Sequence, residues 1–131
     1  MKKYTHEKAH EEVNRIFKVL LPQRGMAERP EQIRLCHSIL DAMLDGSIAL
    51  CDAGTGIGKT FAYLTAGVLL GKCRAAEGRP LLSIPVSTSS IALQNAIQKA
   101  YLPLLSGLLL PEARISPPTA AIFRIGCRRY T

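Results

Sequence analysis

A chain of 131 residues has room for one modest core, and 47% hydrophobic with 21% charged residues excludes both a disordered tail and a collagen-like or low-complexity fibre. Seventeen Lys and Arg against ten Asp and Glu leave a net charge of +7, which favours polyanionic partners without naming one. Cys36, Cys51, Cys73 and Cys127 form no Cys-x-x-Cys pair, so neither a zinc ribbon nor a disulfide framework is indicated. The start Met-Lys-Lys-Tyr-Thr-His-Glu has no apolar signal core, and no apolar run approaches the roughly 18 residues of a membrane span. Reduced thiols, no membrane partner and a cytoplasmic location are the expectation.

From Glu7 to Leu21, Ala9, Val13, Ile16, Phe17 and Leu20 recur every three or four residues and predict a helix that Pro22 ends. Pro30 opens a second amphipathic helix carrying Ile33, Leu35, Cys36, Ile39, Leu40, Met43 and Leu44, closed by Asp45-Gly46. Ser47-Ile48-Ala49-Leu50-Cys51 is apolar on both faces, as a buried parallel strand would be, and it runs into a glycine-rich loop. A helix from Lys59 to about Lys72 follows. Leu81 to Val86 predicts a second strand, ended or bulged at Pro85, and a helix spans about Ile91 to Tyr101. Beyond Pro103 the pattern loosens until Ala120 to Ile125 offers a third strand. Alternating strands and helices indicate an α/β fold with parallel strands.

The glycine-rich loop carries the chemistry. In Ala53-Gly54-Thr55-Gly56-Ile57-Gly58-Lys59-Thr60 the three glycines let backbone N–H groups close on phosphate oxygens, where side chains would block the approach. The helix opening at Lys59 aims its N-terminal dipole at the same phosphates, the Lys59 ammonium suits the β and γ groups, and the Thr60 hydroxyl suits Mg²⁺. These residues predict a nucleoside triphosphate site. The alternative is a glycine-rich turn joining strand to helix without a ligand.

Around this loop the chain resembles the DinG and XPD branch of superfamily 2 DNA helicases, whose loop reads acidic-Ala-Gly-Thr-Gly-x-Gly-Lys-Thr. Asp52 fills the acidic position, and Ala53, which replaces the Gly of the strict motif, is the form helicases commonly show. Upstream, Arg29-Pro30-Glu31-Gln32 resembles the family's Arg-Pro-x-Gln adenine element, which implies ATP, with Arg29 and Gln32 at the nucleotide. Downstream, Pro85 to Gln94 resembles Ser-Thr-x-Thr-x-x-Leu-Gln, which implies single-stranded DNA beside Ser87, Thr88, Ser90 and Gln94; Ser90 replaces the usual Thr. Helix capping by Ser89 or Ser90 is the plainer role for that cluster.

The resemblance implies an incomplete RecA-like P-loop domain over residues 23–131, with parallel strands flanked by helices and preceded by an N-terminal helix at 1–22. Gly126 to Thr131 resembles the run that introduces the family's iron-sulfur cysteines, but Cys127 is not at a ligand position, so no cluster is expected. No Asp-Glu-x-His box is present to hold Mg²⁺, nor a second domain with an arginine finger, a group worth about 10³ to 10⁵ in turnover. The expectation is a truncated ATP-binding portion of a DinG-like helicase, inactive alone and partnered by the missing remainder. A non-catalytic nucleotide- or nucleic-acid-binding remnant and a P-loop kinase-type phosphotransferase are the competing readings.

His6-Glu7-Lys8-Ala9-His10 matches H-E-x-x-H, the metalloprotease pattern in which two histidines one turn apart bind zinc. His37 is the one further histidine, and His6 and His10 border the apolar face made by Val13 and Phe17. Histidines flanking an apolar helix face are the simpler reading.

Overall fold

The structure, a computed structural model, describes residues 5–54, 58–80, 83–88, 90–109 and 123–126. The chain divides into two compact units, Met1–Pro80 and Leu81–Thr131.

The first unit is built on three packed helices. Helix α1 (His6–Arg15) starts at Thr5, whose Oγ1 accepts the Lys8 N–H and caps the first turn. It continues through a π-helical turn, Ile16–Leu20, into α2 (Leu21–Gln23), so the helical path runs through Pro22 instead of ending there. Pro22 follows directly on the π-helical turn, where Leu21 N–H already bonds back to Ile16 O and the regular i→i−4 ladder is interrupted. Ala9, Val13, Ile16, Phe17 and Leu21 are buried, the face that the spacing predicts apart from Leu20, which is half-buried.

Helix α3 (Pro30–Asp45) begins at its proline and ends on Gly46, whose left-handed φ of 70° stops the helix without a Cβ penalty. Ile33, Cys36 and Leu40 form its buried stripe. Helix α4 (Lys59–Ala76) is the most enclosed element, with every residue from Leu64 to Leu69 buried. Burial on all sides of α4 means that it is covered by more than one neighbour, and both α1 and α3 pack on it, α3 the more extensively. Each large side chain removed from water in this way contributes about 1.5–3 kcal/mol. At the periphery, Lys72 of α4 pairs with Glu12 of α1 at 3.1 Å.

In the second unit, β1 (Ile84–Ser87) is followed by α5 (Ile91–Ala96), a π-helical turn (Ile97–Tyr101) and α6 (Leu102–Leu109), and β2 (Phe123–Gly126) pairs with β1 in parallel, Ile84 opposite Phe123 and Ser87 opposite Gly126. Pro85 sits within β1, an edge-strand position that needs no donated N–H on its unpaired side. The helical path extends eight residues beyond the predicted end at Tyr101: Pro103 follows a π-helical turn in which Leu102 N–H already bonds back to Ile97 O, and Leu102, Leu105 and Leu108 supply a buried stripe. Leu81, Leu82 and the Ala120 to Ile122 part of the third predicted strand lie outside the described residues.

The expected fold class, a RecA-like α/β domain with parallel strands flanked by helices, is overturned. The described residues are predominantly helical, and their strand content is one four-residue parallel pair. Ser47 to Cys51, expected as the buried strand feeding the loop, has no strand geometry, and Ile48 and Leu50 are 91% and 96% exposed. A strand apolar on both faces is stabilised only by neighbours on both edges and both faces, and nothing among the described residues provides them.

Candidate nucleotide site

The loop is held at its C-terminal end, while its centre, Thr55, Gly56 and Ile57, lies outside the described residues. On the C-terminal side, Gly58 precedes α4 in a left-handed conformation, φ 81°, and no side chain caps the helix. The first-turn N–H groups of a helix lack intrahelical partners, so an uncapped start directs donors toward the loop. No acidic residue occupies that first turn; Lys59 is exposed there and Thr60 half-buried. The position suits the phosphate and Mg²⁺ roles expected of these two side chains.

Gln32 links the upstream element to the loop. Its side chain is 7% exposed, and its Nε2 donates to the Gly58 carbonyl at 2.9 Å. A Cβ on Gly58 would run into that same amide, so Gly58 is required by a close approach as well as by its positive φ. Gln32, expected at an adenine edge, thus spends its amide N–H on bracing the loop and retains Oε1 as an acceptor. Arg29, at the N-cap of α3, is exposed and three residues before Gln32.

On the N-terminal side of the loop, Cys51, Asp52, Ala53 and Gly54 face Glu31, Arg34, Leu35 and Ser38 of α3 across a cleft of about 310 Å³. That volume is at the small end of the range for ligand pockets, about 300–1,000 Å³. Sequence reading missed Glu31, Arg34 and Ser38 as cleft residues. Their spacing on α3, opposite the apolar stripe and next to Gln32, is the signal that could have found them.

The residues expected at DNA lie in the second unit. Ser87 ends β1 and is exposed. Thr88 Oγ1 accepts the Ser90 N–H, and Ser90 Oγ accepts the Leu93 N–H, both at 3.1 Å, so Ser90 caps α5. Gln94 is half-buried within α5. Ser89 and Cys127 to Thr131 lie outside the described residues.

The H-E-x-x-H histidines do not converge. His6 faces Glu77 at 3.5 Å, whereas His10 meets His37 and Asp41 of α3. No group of three His, Cys, Asp or Glu side chains among the described residues could hold a metal ion. Burial pushes the Cys36 thiol up to about 12, and burial followed by Glu77 and Glu12 raises that of Cys73. No helix among the described residues is long and apolar enough to cross a membrane.

Comparison with known proteins agrees with the sequence motifs. The chain is 31% identical over 86 residues to the ATP-dependent DNA helicase YoaA of Haemophilus influenzae, covering 66% of this chain and 12% of that protein. It is 27% identical over 94 residues to the 3'-5' exonuclease DinG of Staphylococcus aureus, covering 72% of this chain and 10% of that protein. No family model matches the chain, and no solved structure does. The chain therefore spans about a tenth of the length of these curated relatives. Over that part it is distantly related to DinG-like helicases.

Proposed function

We propose that Ala53 to Thr60 binds ATP with Mg²⁺, as the nucleotide-binding stretch of a DinG-like ATP-dependent DNA helicase. The observation that carries this reading is the hydrogen bond from Gln32 to Gly58. It joins the Arg-Pro-x-Gln element to the last glycine of the loop, two motifs 26 residues apart in the chain. Lys59 then neutralises β- and γ-phosphate charge, the loop amides and α4 N–H groups orient the phosphates, and Thr60 supplies one oxygen to Mg²⁺. Gln32 Oε1 accepts from the adenine amino group, and Arg29 contacts the nucleotide.

In the second unit, Ser87, Thr88, Ser90 and Gln94 contact single-stranded DNA. The Ser90 oxygen already accepts a backbone N–H, which leaves its proton to donate to a phosphate oxygen. The sequence carries no Asp-Glu-x-His box, so hydrolysis by this chain alone should be slow or absent.

Titration of a fluorescent ATP analogue with Mg²⁺ tests this reading. Lys59→Ala should weaken binding at least about tenfold, the equivalent of 1.4 kcal/mol. Hydrolysis should stay near background with and without single-stranded DNA. Equal affinity in both proteins, or none in either, would leave the loop without a nucleotide role; robust turnover by the wild type would overturn the non-catalytic part.

A further inference from the structure

The contact between α1 and α3 contains a histidine pair that the nucleotide site does not use. His10 Nδ1 lies 2.6 Å from His37 Nδ1, with ring centroids 4.9 Å apart and planes 19° from parallel, so the rings meet edge to edge. The other nitrogen of each ring is also engaged. His10 Nε2 is 2.6 Å from Asp41 Oδ1, and His37 Nε2 is 3.1 Å from Asn14 Oδ1.

These outer partners fix where the protons sit. An ionised Asp41 carboxylate only accepts, so His10 carries a proton on Nε2. The Asn14 carbonyl oxygen likewise accepts, so His37 carries a proton on Nε2. If both rings are neutral, neither Nδ1 has a proton, and two lone pairs face each other at 2.6 Å. If both are cationic, two N–H groups point at each other between two positive rings. One proton between the two Nδ1 atoms removes both conflicts and makes a short, charge-assisted N–H···N bond.

We propose that His10 and His37 form a proton-set latch between α1 and α3, complete when the pair holds one shared proton and opened both by losing it and by gaining a second. The charged groups facing the pair agree with a single positive charge. Asp41 of α3 attracts it, whereas Lys18, on the π-helical turn after α1, opposes a second one at His37. From α4, Lys72 is held by Glu12 on α1. Burial, followed by His10, lowers the His37 pKa, in keeping with a ring that resists the second proton. The charge belongs to the pair and not to either ring.

The latch can be read directly from ring ¹⁵N shifts and long-range ¹H–¹⁵N couplings of the whole chain, in EDTA, from about pH 5 to about pH 9. The expected result is two coupled steps flanking the ordinary histidine value of about 6.5, with both Nε2 atoms protonated and one proton on the two Nδ1 atoms between the steps. Thermal stability should peak in the same window and fall by a few degrees on each side. Asp41→Asn, at a largely exposed position, should move the upper step to lower pH, because an amide can donate to His10 Nε2 and allow a neutral pair. Two independent single steps, or a neutral His10 receiving a proton from His37 Nδ1 across the whole range, would overturn the latch; so would two steps left unchanged by Asp41→Asn.

Discussion

Two neighbouring stretches, both apolar in sequence, meet opposite fates. Leu64 to Leu69 on α4 is completely buried, whereas Ile48 and Leu50, just before the loop, stand almost fully in solvent. A helix satisfies its own backbone and needs only side-chain cover, which α1 and α3 supply. An extended segment needs hydrogen-bonding partners from elsewhere before its side chains can be covered. The loop is thus anchored on one side to a rigid packed helix and on the other to a segment without strand partners among the described residues.

The strongest way to break this comparison is truncation on each side. Leu40→Ala, in the fully buried α3 stripe, should cost about 2–5 kcal/mol in urea unfolding. Leu50→Ala should change stability by no more than about 0.5 kcal/mol. Similar losses at both positions would mean that the segment before the loop is buried in solution.

Next in size is Gly58→Ala, which strains a positive φ and drives a methyl into the Gln32 amide. A loss of about 1–3 kcal/mol, together with weakened nucleotide analogue binding, is the expected outcome. Unchanged binding would separate the Gln32 brace from the ligand.

A smaller effect follows from pH. The folded His37 pKa lies below the ordinary value of about 6.5, chiefly through burial and then through His10. The unfolded chain therefore binds this proton more readily. On the acid side its stabilising contribution is therefore lost as pH falls from about 6.5 through the folded value. His37→Gln should flatten that acid limb in thermal melts; an unchanged limb would assign it to other groups.

The smallest expected change has the opposite sign. Thr65 Oγ1 is buried on α4 with no hydrogen-bond partner among the described residues. Thr65→Val should stabilise by up to about 1 kcal/mol in the same urea assay. Destabilisation would show that the hydroxyl has a partner in solution.

These contrasts also explain what the sequence could disclose. The buried faces of α1, α3 and α4 were legible because helical spacing puts Val13 with Phe17, and Ile33 with Cys36 and Leu40, on one side whatever lies opposite. The start of α4 at Lys59 was legible because a glycine directly before a helical run marks a boundary. Ser47 to Cys51 misled, since an apolar run records a capacity for burial and not the presence of partners. The continuation through Pro103 was missed because a proline ends a helix only where its N–H is required. The role of Gln32 as a brace depends on a contact across 26 residues, and spacing within a motif cannot reveal that.

The distribution of thiols has a practical consequence. Cys36 is fully buried and its acidity suppressed, Cys73 is buried too, and Cys51 stands exposed on the wall of the cleft beside the loop. Thiolate reagents discriminate by exposure and ionisation. Among the described cysteines, Cys51 is the one that a maleimide fluorophore should label in the folded chain. The cleft thereby carries its own attachment point for a reporter, placed where entry of a ligand would alter the dye's surroundings.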